Sequence, residues 1–100
     1  MKLFIDTRDR EKIVVGIGEK RFEAKSKDGA SQRLLPFIDE VLASQGVTLR
    51  NITEIELNTG PGSFTGLRVG VSVANTLGWV LRITVNGKDI SKKGSVDINY

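Results

Sequence analysis

Thirteen residues, Asn58-Thr-Gly-Pro-Gly-Ser-Phe-Thr-Gly-Leu-Arg-Val-Gly70, hold most of the chemistry open to this chain. A turn built on Gly60 and Gly62 leads through Ser63 into a helical pattern. Free N–H groups and the positive end of the helix dipole point outward at such a start, so the turn could cradle a phosphate. No lysine follows the glycines, which excludes a Walker-type P-loop. A tight strand-to-helix turn with Ser63 as N-cap accounts for the same residues. Arg68 is the only ionisable side chain across residues 57–81. Its planar fork could anchor a partner's carboxylate, or it could face water beside Ser72 and Asn75.

The rest of the composition mainly excludes. With no cysteine and no histidine, the chain cannot form disulfides, use a thiol, or run histidine acid/base catalysis, and it lacks the usual zinc and non-haem iron ligands. No carboxylates fall at calcium-loop spacing. No catalytic residue, metal ligand or cofactor is therefore assigned. The net charge of +3 is dispersed, because bases alternate with acids, as in Arg8-Asp-Arg-Glu-Lys12. An aromatic share of 6% argues against a dedicated base-stacking surface.

The elements that must position the glycine turn can be read from patterning. Lys2–Asp6 and Lys12–Ile17 are short apolar runs of strand type, the second rich in β-branched residues. Residues 21–25 alternate weakly and read as an edge strand guarded by lysines. From Ser31 a helical pattern places Leu34, Leu35, Phe37, Ile38, Val41 and Leu42 in a sector wider than the ~100° needed to cover one neighbour. Pro36 belongs in or near its first turns, and Gly46 is its C-cap. Glu54–Leu57 is a fourth strand that delivers the glycine turn.

A second helix is expected over residues 63–78, with Gly66, Gly70, Ala74 and Gly78 recurring every four residues. Each glycine lowers helix propensity by ~1 kcal/mol relative to alanine, so a closely approaching neighbour is expected along that face. Residues 79–85 read as a fifth strand, and Asn86-Gly87 as a hairpin turn. The fold class is α/β, a mixed five-stranded sheet in the order β-β-β-α-β-α-β with right-handed crossovers. One domain fits a chain of 100 residues. The chain passes from Met1 directly into a strand-like run, with no signal peptide and no uncharged run fit to span a bilayer, so a cytoplasmic, membrane-free protein is expected.

Ser31-Gln-Arg-Leu-Leu-Pro36, followed by Gly60-Pro-Gly-Ser-Phe-Thr-Gly-Leu-Arg-Val-Gly70, closely resembles the TsaB (YeaZ) family, as does the first strand ending Ile5-Asp6-Thr7. The resemblance runs over residues 2–87. It implies a single lobe of the actin/Hsp70-like (RNase H-like) ATPase fold. It also implies a non-catalytic subunit supporting TsaD in the threonylcarbamoylation of the adenosine next to a tRNA anticodon. The implied partners are a TsaD-like catalytic subunit and a TsaE-like ATPase, with a homodimer in isolation and tRNA contacted only through the complex.

Family members pair through the two helices of this lobe, which makes Leu34, Leu35, Ile38, Leu42, Gly66, Val69, Gly70, Val73 and Ala74 the expected interface. On that reading Gly70→Leu abolishes pairing and spares the fold. The alternative is a small nucleotide- or phosphate-binding enzyme of the same superfamily. It would use Asp6 and Thr7, which sit where phosphate-binding relatives carry an Asp-x-Gly-Thr turn, together with Gly60, Gly62 and Ser63. Arg8 and Asp9 replace the expected glycine chemistry there. Two regions are expected: the lobe over residues 1–87, and a divergent tail over 88–100 containing a hairpin return strand.

Overall fold

The computed structural model describes residues 1–26 and 30–90. Three antiparallel strands open the chain: β1 (Lys2–Asp6), β2 (Lys12–Ile17) and β3 (Lys20–Lys25). Helix α1 (Ala30–Ser44) follows, then a 3₁₀ turn (Leu49–Asn51), β4 (Glu54–Leu57), α2 (Phe64–Leu81), β5 (Thr84–Val85) and β6 (Lys88–Asp89). The sheet order is β3-β2-β1-β4-β5-β6. β4 lies parallel to both β1 and β5, as the two helical crossovers require.

Alternation along the strands divides the sheet into two unlike faces. Leu3, Ile5, Ile13, Val15, Ile55, Leu57 and Val85 point inward and are buried. They meet Leu34, Phe37, Ile38, Val41 and Leu42 of α1, and Ala74 of α2. Each such side chain contributes about 1.5–3 kcal/mol through burial, which makes this the dominant stabilising layer. The opposite face carries Lys2 bonded to Glu56 at 3.1 Å and Lys12 to Glu23 at 3.1 Å. There Arg21 lies 4.2 Å from the Phe4 ring centroid. Gly16 stands between them in register, and its bare backbone leaves room for the arginine.

Helix α1 ends as its sequence dictates. Gly46 takes φ 66°, the Val47 N–H donates to the Leu42 carbonyl at 2.9 Å, and the Gly46 N–H donates to that of Ala43 at 3.1 Å. This is the paired C-terminal closure that a glycine just past a helix permits. Pro36 lies in the second turn on the exposed side.

One expectation needs correction. Residues 79–85 are not one strand: α2 continues through Trp79, Val80 and Leu81, stops where Arg82 adopts φ 58°, and only Thr84 and Val85 join the sheet. β propensity at Trp79 and Val80 yields here to continuation of the helical ladder, with the Ile83 N–H donating to the Gly78 carbonyl at 3.1 Å. The sheet has six strands, the five of the expected order plus the expected hairpin return. The extra one is the hairpin return across Asn86 (φ 52°) and Gly87 (φ 78°), the backbone signature of a tight two-residue turn.

Candidate functional site

The glycine turn and the end of β1 meet at the top of the sheet. The Ser63 N–H donates to the Arg8 carbonyl at 2.9 Å. Gly62 lies so close that a Cβ there would stand 2.7 Å from that of Arg8. Asn58 accepts the Gly60 N–H at 3.2 Å, and the Gly60-Pro61 peptide is cis. Ser63 occupies the N-cap position of α2 but makes no side-chain capping bond.

The structure thus brings Asp6, Thr7, Gly60, Gly62 and Ser63 together, yet their polar groups serve the chain itself. Thr7 is fully buried, and its hydroxyl donates to the Gly66 carbonyl at 2.6 Å. Asp6 accepts the Arg8 backbone N–H at 3.0 Å and grips the same residue's guanidinium, with Nη2 to Oδ2 at 3.0 Å. This hydrogen bonding, and then the carboxylate's charge, raises the Arg8 guanidinium above its ordinary range. A phosphate at this position would need the hydroxyl that Gly66 holds and would face a carboxylate. Thr7 and Asp6 are thus already engaged within the chain, which weighs against the nucleotide-phosphate alternative.

The small-residue stripe of α2 also has an internal explanation. A Cβ on Gly66 would collide with the Thr7 carbonyl. One on Gly70 would stand 2.5 Å from Thr7 Oγ1, and one on Gly78 2.7 Å from Val85 Cγ2. The close neighbour expected from the sequence is therefore this chain's own sheet. Of the nine expected interface residues, Gly66, Gly70, Ala74, Leu34, Ile38 and Leu42 are buried within the chain. Gly70→Leu would strike the core, not a docking surface.

Leu35, Val69 and Val73 do reach the surface, Leu35 with 52% exposure and the two valines half-buried. The structure also exposes Phe64 and, where a strand was expected, Trp79 and Val80. Phe64 is 52% exposed, Trp79 63% and Val80 67%. The signal for Val80 was available, since 69, 73, 77 and 80 continue one helical ridge once the helix is allowed past residue 78. Arg68 shares this outward side, its guanidinium 5.4 Å from the Phe64 ring centroid. Among the described residues no three carboxylates cluster to hold a metal, and no helix is long and apolar enough to cross a membrane.

The comparisons with known proteins agree with one another. The sequence profile of TsaD, tRNA N6-adenosine threonylcarbamoyltransferase, matches residues 24–87. The tRNA threonylcarbamoyladenosine biosynthesis protein TsaB of Haemophilus influenzae is 47% identical over 47 residues, covering 47% of this chain and 20% of that protein. A tRNA N6-adenosine threonylcarbamoyltransferase of Nitrosospira multiformis is 45% identical over 56 residues, covering 56% and 16%. The solved structure of YeaZ from Pseudomonas aeruginosa superposes with a TM-score of 0.71 at 28% identity, over 84% of this chain and 41% of that one. The chain thus spans about a fifth of the curated TsaB relative and two fifths of the solved one. On profile, relatives and backbone together, the chain belongs to the TsaD family, on its TsaB (YeaZ) side.

Proposed function

We propose that this chain acts in tRNA threonylcarbamoyladenosine biosynthesis as a non-catalytic subunit. It docks through the outward sides of α1 and α2 onto a TsaD-type transferase. The observation that carries this reading is the exposure of Leu35, Phe64, Trp79 and Val80, between 52% and 67% each, beside a helix with one charge. Contiguous exposed apolar surface marks a protein contact more often than a solvated face, and Trp79 and Val80 are neighbours at the end of α2. The printed roles of the TsaB and transferase relatives supply the pathway. The subunit's contribution is positional: it holds the transferase in its working arrangement and makes or breaks no bond. A TsaE-like ATPase joins the same assembly, tRNA is met through the complex, a homodimer forms in isolation, and the setting is cytoplasmic.

Sedimentation of the chain with a purified TsaD-type transferase tests this. Co-migration that Leu35→Asp abolishes, with the circular dichroism spectrum unchanged, is the expected result; independent migration of the unaltered chain would end the proposal. The superfamily alternative, a small nucleotide- or phosphate-binding enzyme, has less support because Thr7 and Asp6 are engaged internally. Calorimetry with ATP and magnesium separates the two, and micromolar binding would favour the alternative.

A further inference from the structure

We propose that the outer edge of β3 pairs with the same edge of a second copy of this chain, antiparallel and two-fold about Phe22. The proposal goes beyond the docking role above and uses neither helix. β3 ends the sheet, and among the described residues β2 is its only strand partner. The Ser26 N–H donates to the Glu11 carbonyl at 2.9 Å, so residues 20, 22, 24 and 26 turn their backbone groups toward β2. Antiparallel alternation then aims the N–H and C=O groups of Arg21, Glu23 and Lys25 away from the sheet. Such a row is a template for another strand. Arg21, Glu23 and Lys25 are exposed, and α1 packs chiefly over β2, which leaves the edge open.

The charge pattern selects a copy of the same strand and one register. Outward residues must meet outward residues, so a two-fold pairing has to centre on a single residue. Centring on Arg21 or on Glu23 sets that charge against its own copy, which is unfavourable. Centring on Ala24 shortens the overlap and leaves Phe22 opposite Ser26. Centring on Phe22 sets Arg21 opposite Glu23 of the second copy, twice by symmetry, and Lys20 opposite Ala24. Just past the strand, Lys25 falls opposite Glu19. Phe22 then meets itself at the close, non-hydrogen-bonded position, where Cα atoms stand about 4.5 Å apart. Its ring is half-buried against the core, and the second copy would cover the remainder. Both charges already stand on the outer face of the sheet, Glu23 at 3.1 Å from Lys12 and Arg21 over the Phe4 ring. Edge charges that ordinarily keep strands apart attract in this register.

Sedimentation velocity of the full chain over a rising concentration series, with amide hydrogen exchange at the lowest and highest concentrations, provides the test. A contact made by one strand is small, so a weak dimer that forms only at raised concentration is expected. In it the Arg21 and Glu23 amides should exchange more slowly than in the dilute chain. Glu23→Lys sets like charges face to face and should weaken association about tenfold or more. Adding Arg21→Glu to that variant should restore it, because the reversed charges match again only between copies. Within one chain the double variant recovers neither the bond to Lys12 nor the contact with Phe4, so a merely structural role would show no rescue. Leu35→Asp, on α1, should leave this association unchanged. A monomer at every concentration would overturn the proposal. So would a dimer that Leu35→Asp abolishes, or one whose Arg21 and Glu23 amides exchange as fast as in the dilute chain. None of these outcomes touches the docking role, which stands or falls on binding to the transferase.

Discussion

The two sides of α2 depart from an ordinary amphipathic helix for separate reasons. Inward, Gly66, Gly70, Ala74 and Gly78 bring the helix backbone onto Thr7, Leu57 and Val85. Outward, Phe64, Trp79 and Val80 stand in solvent with Arg68 as their only charged companion on the helix. Small residues and missing charges look like one anomaly in the sequence. In the structure the first answers to the chain's own sheet, and only the second asks for something outside. Closeness of approach is thus a poor guide to partners, and exposed apolar area is a better one.

Substitutions that act on one side alone sharpen this division. Gly70→Leu should have the largest effect, because its side chain would be driven into Thr7 and Leu57; no cooperative thermal transition is expected. Gly66→Ala should cost about 2–3 kcal/mol, since collision with the Thr7 carbonyl outweighs the ~1 kcal/mol gain in helix propensity. A urea midpoint equal to that of the unaltered chain would show the seam to be loose. Thr7→Val removes the buried bond to the Gly66 carbonyl and should cost about 1–3 kcal/mol in the same assay.

On the outward side, Trp79→Ser should change stability by less than about 0.5 kcal/mol while reducing retention of the transferase. A large stability loss would place Trp79 in the core and dissolve the contrast. The smallest effect concerns pH. Hydrogen bonds to Glu56 and Glu23 raise Lys2 and Lys12 above the ordinary lysine value of 10.5. Folded values above unfolded ones mean that the associated stability is complete below that value and is lost as pH rises through the folded values. Thermal midpoints should therefore show no loss from these pairs until strongly alkaline pH, and a decline between pH 7 and 9 would contradict their role.

Much of the fold was legible because local rules and tertiary packing agreed. The bounds of β1, β2 and β4 follow from apolar runs between polar turns, and Gly46 marks the end of α1. The end of α2 was not legible, because Trp79, Val80 and Leu81 suit a strand as well as a helix and only the surrounding structure decides. The candidate site was half legible. Periodicity located a face of α2 that required close packing, but a helical wheel cannot say whether a chain's own strands or another molecule fills it. The wide apolar sector of α1 misled similarly: Leu34, Phe37, Ile38, Val41 and Leu42 all fit beneath it, and only Leu35 is left over.

The turn residue Asn86 has a second duty. Its side-chain amide accepts the Leu57 N–H at 2.7 Å and donates to the Leu57 carbonyl at 3.0 Å, extending the pairing of β4 beyond the last residue of β5. Asparagine followed by glycine is also the sequence most prone to lose its amide through backbone attack. Conversion to aspartate would set an oxygen against the Leu57 carbonyl oxygen, and the two would repel. The far corner of the sheet therefore carries a slow chemical clock, and ageing of a stored sample should loosen it there first.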